Sequence, residues 1–244
     1  MSERPVESPA GDTALLSGQL ESVRKRVAAA CVAAGREPAA VTILPVSKTF
    51  GADLIRTAVS LGLHRFGENK TQEVREKSPL LADCGIDWVI IGHLQTNKAK
   101  DVARLVSEVQ SLDRLELAEA LNKRLQIEQR AIDVLVQVKT SPEPGKFGLP
   151  PDDLPEFLDT LRNFDNLRVR GLMTLATNSP DDGEVRRCFA MLRELQSQAA
   201  SRGHNLPRLS MGMSGDFPLA IAEGSTEIRV GSAIFGRRSM ATPV

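Results

Sequence analysis

The sequence predicts an α/β fold, a (β/α)8 barrel of the TIM type with one extra helix at its N-terminal end. Eight short apolar runs of strand length recur along the chain, and nearly every pair is separated by a helical pattern. Such alternation implies parallel strands joined by right-handed crossovers. No shift of composition over the 244 residues marks a second domain, so one barrel over residues 12–244 is expected, preceded by a short disordered leader, residues 1–11. A doubly wound open sheet is the competing architecture, but it calls for a GxGxxG turn after the first strand, and that fingerprint is absent.

The elements follow in order. Leu16, Leu20, Val23, Val27, Ala30 and Ala34 make an amphipathic helix that stops at Gly35, with Pro38 just beyond. Residues 41–47 are a buried strand, in which Pro45 removes one ladder donor and argues for a bulge or a strand end. A helix over 53–61, a short strand over 64–68 and a polar helix over 70–80 come next. The continuous apolar run 87–93 reads as a strand covered on both faces. Helix 95–107, strand 108–112, helix 114–129 and strand 132–139 continue the alternation. Residues 140–151 hold four prolines and two glycines and form a loop of unusual length. Helix 152–164, strand 167–175 and a helical stripe through Val185, Cys188, Phe189, Leu192 and Leu195 follow. The series closes with strand 209–214, a short helix, and strand 227–235.

Composition excludes several classes. Thirty-one basic residues balance thirty-one acidic ones, which gives no field for nucleic acid or an anionic membrane. Cys31, Cys84 and Cys188 are odd in number and far apart, without the spacing of a zinc site or a disulfide framework. The opening residues have no apolar signal core, and no run approaches the length of a membrane span. A cytoplasmic protein is the expectation.

In such barrels active sites gather at the carboxyl ends of the strands. Lys48 stands at the end of the first strand, where a lysine must be paired, shifted in pKa or covalently used. A desolvated lysine can add to a carbonyl and form a Schiff base, whereas the bland alternative is pairing with an acid such as Glu68. Two turns of small residues follow the last two strands, Ser210 to Ser214 and Gly231-Ser232. Barrels often hold phosphate there on backbone N–H groups, although ordinary turn and capping chemistry needs the same residues. Arg229, inside the last strand, must meet a ligand or an acid, and Glu227 on the same side is its candidate partner. His93 is a lone strand-end histidine, and no second histidine nearby suggests a metal site.

Six motifs occur in order: PVSKT at 45–49, FGENK at 66–70, IGHLQTNK at 91–98, GLMT at 171–174, LSMGMS at 209–214 and RVGSAIFG at 229–236. With them the chain resembles the pyridoxal phosphate homeostasis proteins, relatives of the barrel domain of alanine racemase. The resemblance implies that Lys48 carries pyridoxal 5'-phosphate as an internal aldimine. It further implies that Ser210, Gly231 and Ser232 hold the phosphate with Met211 and Ser214 close by, that Arg229 faces the pyridine nitrogen, and that Asn69, His93 and Met173 line the pocket.

An arginine cannot take a proton from the ring nitrogen, so the ring stays a weak electron sink. The related racemases use a lysine and a tyrosine, and this chain has no tyrosine at all and no length for the second domain that supplies it. The resulting expectation is a non-enzymatic cofactor store or carrier, monomeric, with apoenzymes as recipients. A weak racemase is the alternative. Without the resemblance, an aldolase-like barrel forming its imine with a phosphorylated sugar would fit the same lysine and turns.

Overall fold

A computed structural model describes residues 9–236 of the chain. Eight parallel strands stand in the order β1-β8-β7-β6-β5-β4-β3-β2: β1 (Thr42–Pro45), β2 (Arg65–Glu68), β3 (Asp87–Ile90), β4 (Glu108–Leu112), β5 (Ile132–Gln137), β6 (Leu167–Met173), β7 (Arg208–Met213) and β8 (Glu227–Val230). The ring closes between β1 and β2 through one isolated bridge, Val46 with Gly67, reinforced by Ser47 N–H donating to Gly67 O at 3.0 Å. The expected barrel is therefore present.

The helices are α1 (Pro9–Ala33), α2 (Ala52–Ser60), α3 (Thr71–Lys77), α4 (Ala99–Leu105), α5 (Leu115–Ile127), α6 (Leu154–Leu161), α7 (Asp182–Ser201), α8 (Phe217–Ala222) and α9 (Ser232–Phe235). Residues 1–8 of the expected leader lie outside the described residues, and α1 starts at Pro9. Leu16, Leu20, Val23 and Val27 are buried as the periodicity requires, because α1 packs on α2, α8 and α9. Arg26 ties α1 to the far end of the barrel: its guanidinium lies 4.8 Å over the Phe217 ring and donates to Ser214 O at 3.3 Å. Among the described residues no helix is long and apolar enough to cross a membrane.

One expectation needs correcting. The last apolar run does not continue as a strand to Phe235. β8 stops at Val230, Gly231 turns at φ −108° and ψ −80°, and Ser232 opens α9. Ile234 and Phe235 are buried in either geometry, so their hydrophobicity could not separate strand from helix. Small residues at the turn allowed the change.

Inside the ring the residues are polar as well as apolar. Side chains two apart on a strand share a face, so charges at the strand starts stack beneath the residues that follow them. Arg65, Glu108, Arg208 and Glu227 open β2, β4, β7 and β8 and meet as one cluster. Arg65 donates to Glu227 at 2.5 Å and to Glu108 at 2.7 Å, and Arg208 donates to Glu108 at 2.6 Å and to Glu227 at 2.9 Å. Burial pushes the Glu227 carboxyl up, but Arg65 and Arg208 outweigh it and hold the group below its ordinary value. Two residues further along, Gln110 on β4, Ser210 on β7 and Arg229 on β8 form the next layer: Gln110 donates to Glu108 and Glu227 at 2.7 and 2.5 Å, Ser210 Oγ donates to Gln110 Oε1 at 2.7 Å, and Arg229 donates to Ser210 Oγ at 2.8 Å. A continuous polar column therefore runs along the barrel axis.

β7 bends at Gly212, whose φ is +97°, and the β7–β8 register shifts between Ser210 and Met213. A Cβ there would lie 2.6 Å from the Ala220 Cβ on α8 and 3.0 Å from the Phe217 Cα. Position 212 is glycine because backbone conformation and helix contact both exclude a side chain. Gly212→Ala is expected to destabilise the protein by about 3 kcal/mol, read as a lower urea midpoint at unchanged slope; an unchanged midpoint would show that the bend is dispensable.

Candidate functional site

The carboxyl ends of the strands enclose a cavity of about 910 Å³. Seven of the ten predicted site residues line it: Lys48, Asn69, His93, Ser214, Arg229, Gly231 and Ser232. Met173, Ser210 and Met211 are fully buried and are not among its lining residues. The period of two explains Ser210: it shares the layer of Gln110 and Arg229, and its hydroxyl accepts from Arg229 at 2.8 Å instead of reaching the cavity. Only past the bend at Gly212 do Met213 to Asp216 reach the cavity.

Lys48 enters on the turn that ends β1. Pro45 is the last ladder residue, and the Val46 bridge extends the barrel one step before the chain turns. Phe50 N–H donates to Ser47 O at 3.1 Å, which closes residues 47–50 into a turn with Lys48 second and Thr49 third. Thr49 has φ +71°, the mark of a type II turn, where glycine is the usual occupant. A β-branched residue in that region is strained, on the order of 1–3 kcal/mol.

The bland alternative for Lys48, an ion pair with Glu68, is not what surrounds Glu68. Its Oε1 accepts from Ser47 Oγ at 2.6 Å and from Lys77 Nζ at 2.7 Å. Its Oε2 is buried with no partner among the described residues. Burial pushes the Glu68 carboxyl up to about 7, against the hydrogen bonds from Lys77 and Ser47 that favour its charged form.

Arg229 is 4% exposed. Its guanidinium donates to Ser210 Oγ and to Thr174 O, both at 2.8 Å. Glu227, its expected partner, spends its oxygens on Arg65, Arg208 and Gln110. That pairing is corrected: Ser210 and Gln110 stand between the two, because Arg229 belongs to the next layer of the column. Burial lowers the Arg229 pKa to about 10, which still leaves it charged at neutral pH. A buried cation held by neutral acceptors keeps its attraction for an electron-rich ligand atom.

One wall was missing from the sequence reading. The proline-rich loop contributes Gly145, Lys146 and Phe147. Phe147 stacks on the His93 ring at 3.7 Å and 16°, and its carbonyl accepts from Gln137 Nε2 at 2.9 Å. Lys146 donates to Ala176 O at 2.5 Å, and Glu143 accepts from Thr177 Oγ1 and the Asn178 amide. These bonds pin the loop to the β6 end of the barrel. Its length alone was the signal, because long ordered loops in compact domains are usually functional. His93 is further paired with Asp113, Nδ1 to Oδ2 at 3.7 Å. Among the described residues no cluster of histidine, cysteine or acid could hold a metal ion.

Residues 19–239 match the family model described as alanine racemase, N-terminal domain. A pyridoxal phosphate homeostasis protein of Pseudomonas aeruginosa is 39% identical over 228 residues, 93% of this chain and 98% of the relative. A crystal structure of an unknown protein from Bifidobacterium adolescentis superposes with a TM-score of 0.86 at 32% identity, covering 96% of this chain and 98% of that one. PipY of Synechococcus elongatus with pyridoxal phosphate bound gives a TM-score of 0.78 at 35% identity, with coverage of 91% and 100%. Alanine racemase of Clostridium difficile, 14% identical with a TM-score of 0.70 over 93% of this chain and 58% of that one, shares the fold alone.

The raised Glu68 carboxyl has a stability consequence. The folded state binds that proton more tightly than the unfolded chain, whose carboxyl titrates near the ordinary 4.5. Its contribution therefore falls as pH rises from 4.5 to about 7 and stays constant above. Urea midpoints of Glu68→Gln against wild type should shift in favour of the variant between about pH 5 and about pH 8. A constant difference over that span would refute the raised pKa.

Proposed function

The chain belongs to the alanine racemase N-terminal domain family and, within it, to the pyridoxal phosphate homeostasis proteins; from that premise we propose that it binds pyridoxal 5'-phosphate through Lys48 and serves cofactor storage or transfer rather than amino-acid turnover. One observation carries the reading: a primary amine, a buried guanidinium and two donor turns line a single cavity at the carboxyl ends of the strands.

The residues present fit the cofactor. The Ile234 and Phe235 amides of α9 are spent on Gly231 O, and the Ser232 and Ala233 amides at its start, with the Ser232 hydroxyl beside them, suit a phosphate. A Cβ on Gly231 would come within 3.2 Å of Val46 O, a tight contact that glycine avoids, so β1 and the turn approach each other and leave the cradle open. Arg229 is suited to donate to an unprotonated ring nitrogen, and Asn69 and His93 to flank the ring. When bound, the cofactor supplies an aldehyde that condenses with a primary amine and releases one water.

What the surrounding residues withhold supports the non-catalytic half of the proposal. Arg229 is charged at neutral pH and, so charged, has no proton-accepting capacity, so it does not hold a proton on the ring nitrogen as a carboxylate would. Racemisation needs proton-transfer groups on both faces of the reacting carbon, and the chain has no tyrosine to serve opposite Lys48. Release is then an exchange of amines at Lys48, with apoenzymes as recipients of the freed cofactor. Cys31, Cys84 and Cys188 are free and buried, in keeping with a reducing cytoplasmic setting.

Purified protein should show a visible absorption band, and borohydride should fix the cofactor mass on the Lys48 peptide. Lys48→Ala should abolish both, and a Lys48→Ala protein with the wild-type band would refute the anchor. Holoprotein incubated with amino acids in deuterated water should give no exchange at Cα. Steady exchange with any of them would overturn the carrier reading.

A further inference from the structure

A second lysine lies directly beneath the turn that carries Lys48, and the cofactor reading gives it no task. Lys77 is 8% exposed and donates to three acceptors: Glu68 Oε1 at 2.7 Å, Glu73 Oε2 at 2.8 Å and the backbone carbonyl of Ser47 at 3.0 Å. Glu73 in turn accepts the backbone amide of Thr49 at 2.6 Å. Glu73 and Lys77 stand four apart on α3, so both side chains leave the same helix face. They grip the backbone one residue before Lys48 and one residue after it.

Each grip has an identifiable purpose. The Thr49 amide is the one held at φ +71°, a conformation that a threonine leaves unless its surroundings hold it there. Burial raises the Glu73 pKa, but hydrogen bonds from Lys77 and from the Thr49 amide outweigh it and keep the group below its ordinary value. The amide is therefore held by a charged acceptor, the stronger kind. Ser47 is fixed twice, by Lys77 at its carbonyl and by Glu68 at its hydroxyl. Serving only to dock α3 on β2 would require no bond to the backbone on either side of Lys48.

We propose that Glu73 and Lys77, seated on Glu68, are positioning residues that hold the Lys48 turn in its strained form and so set how firmly Lys48 retains its ligand. The proposal rests on Lys48 being the covalent anchor. Thr49→Gly removes the strain that the clamp opposes, because glycine adopts positive φ without penalty. The turn should then keep its shape when the clamp is weakened.

The test measures decay of the visible band of holoprotein in excess scavenging amine. Glu73→Gln should lose the band about tenfold faster than wild type, and Glu73→Gln with Thr49→Gly should return to within about twofold of wild type. In wild-type apoprotein the Thr49 amide should be protected from hydrogen exchange, a measurement that needs no variant to fold. Faster loss that Thr49→Gly does not reverse, unchanged loss in Glu73→Gln, or an unprotected Thr49 amide would each overturn the clamp. Wild-type protein without any band would instead refute the anchor at Lys48, with the amide protection still deciding whether the turn is held.

Discussion

Two carboxylates enclosed by a ring of parallel strands set the terms for this molecule. Glu108 and Glu227 are buried, and each ion carries a desolvation cost of several kcal/mol that pairing must offset. Arg65 and Arg208 meet both acids, and the four come from β2, β4, β7 and β8. These pairings cross the barrel axis rather than neighbouring strands alone. Losing one partner would strand the others, a loss on the order of 3–5 kcal/mol. Strand register is thereby tied to charge balance, since a slip of one residue would turn a charged side chain toward the apolar helices.

The same column explains why the site contains a cation whose hydrogen bonds go to no carboxylate. Counting along the axis, two acids face two arginines at the bottom, and Arg229 is the third arginine above them. Its hydrogen bonds go to Ser210 and Thr174 O, neutral groups that orient the guanidinium without neutralising it. The Arg229 charge therefore lies at the cavity floor, well inside the protein, with Asp216 the lining acid that acts on it. There it is screened far less than a surface charge.

Much of this was legible in the sequence. Alternating apolar runs gave the barrel, strand ends pointed to Lys48, His93, Arg229 and the Gly231-Ser232 turn, and the family resemblance added Asn69. What escaped depended on contacts between residues far apart in the chain. Ser210 read as a phosphate donor because it precedes a small-residue turn, yet the bend comes two residues later, at Gly212. Glu227 read as the partner of Arg229 because they share a strand face. Gln110, 117 residues from Glu227, intervenes through space, and no local pattern announces it. Ile234 and Phe235 are apolar in strand or helix alike. Phe147 was hidden in a loop whose composition reveals its length but not what it covers.

The closure of the ring has its own consequence. Seven of the strand junctions are laddered over two or more residue pairs, whereas β1 and β2 are joined at one bridge, Val46 to Gly67. That joint holds the fewest bonds of any in the ring, so it is where local opening costs least. Lys48 stands two residues beyond it, and Asn69 follows β2 on the other side of the seam. A ligand that held Lys48 and Asn69 together would act as a clasp over the seam, adding its binding free energy to the closed state alone. Occupancy and closure of the ring would then rise together, and the loaded protein would be a tighter barrel than the empty one.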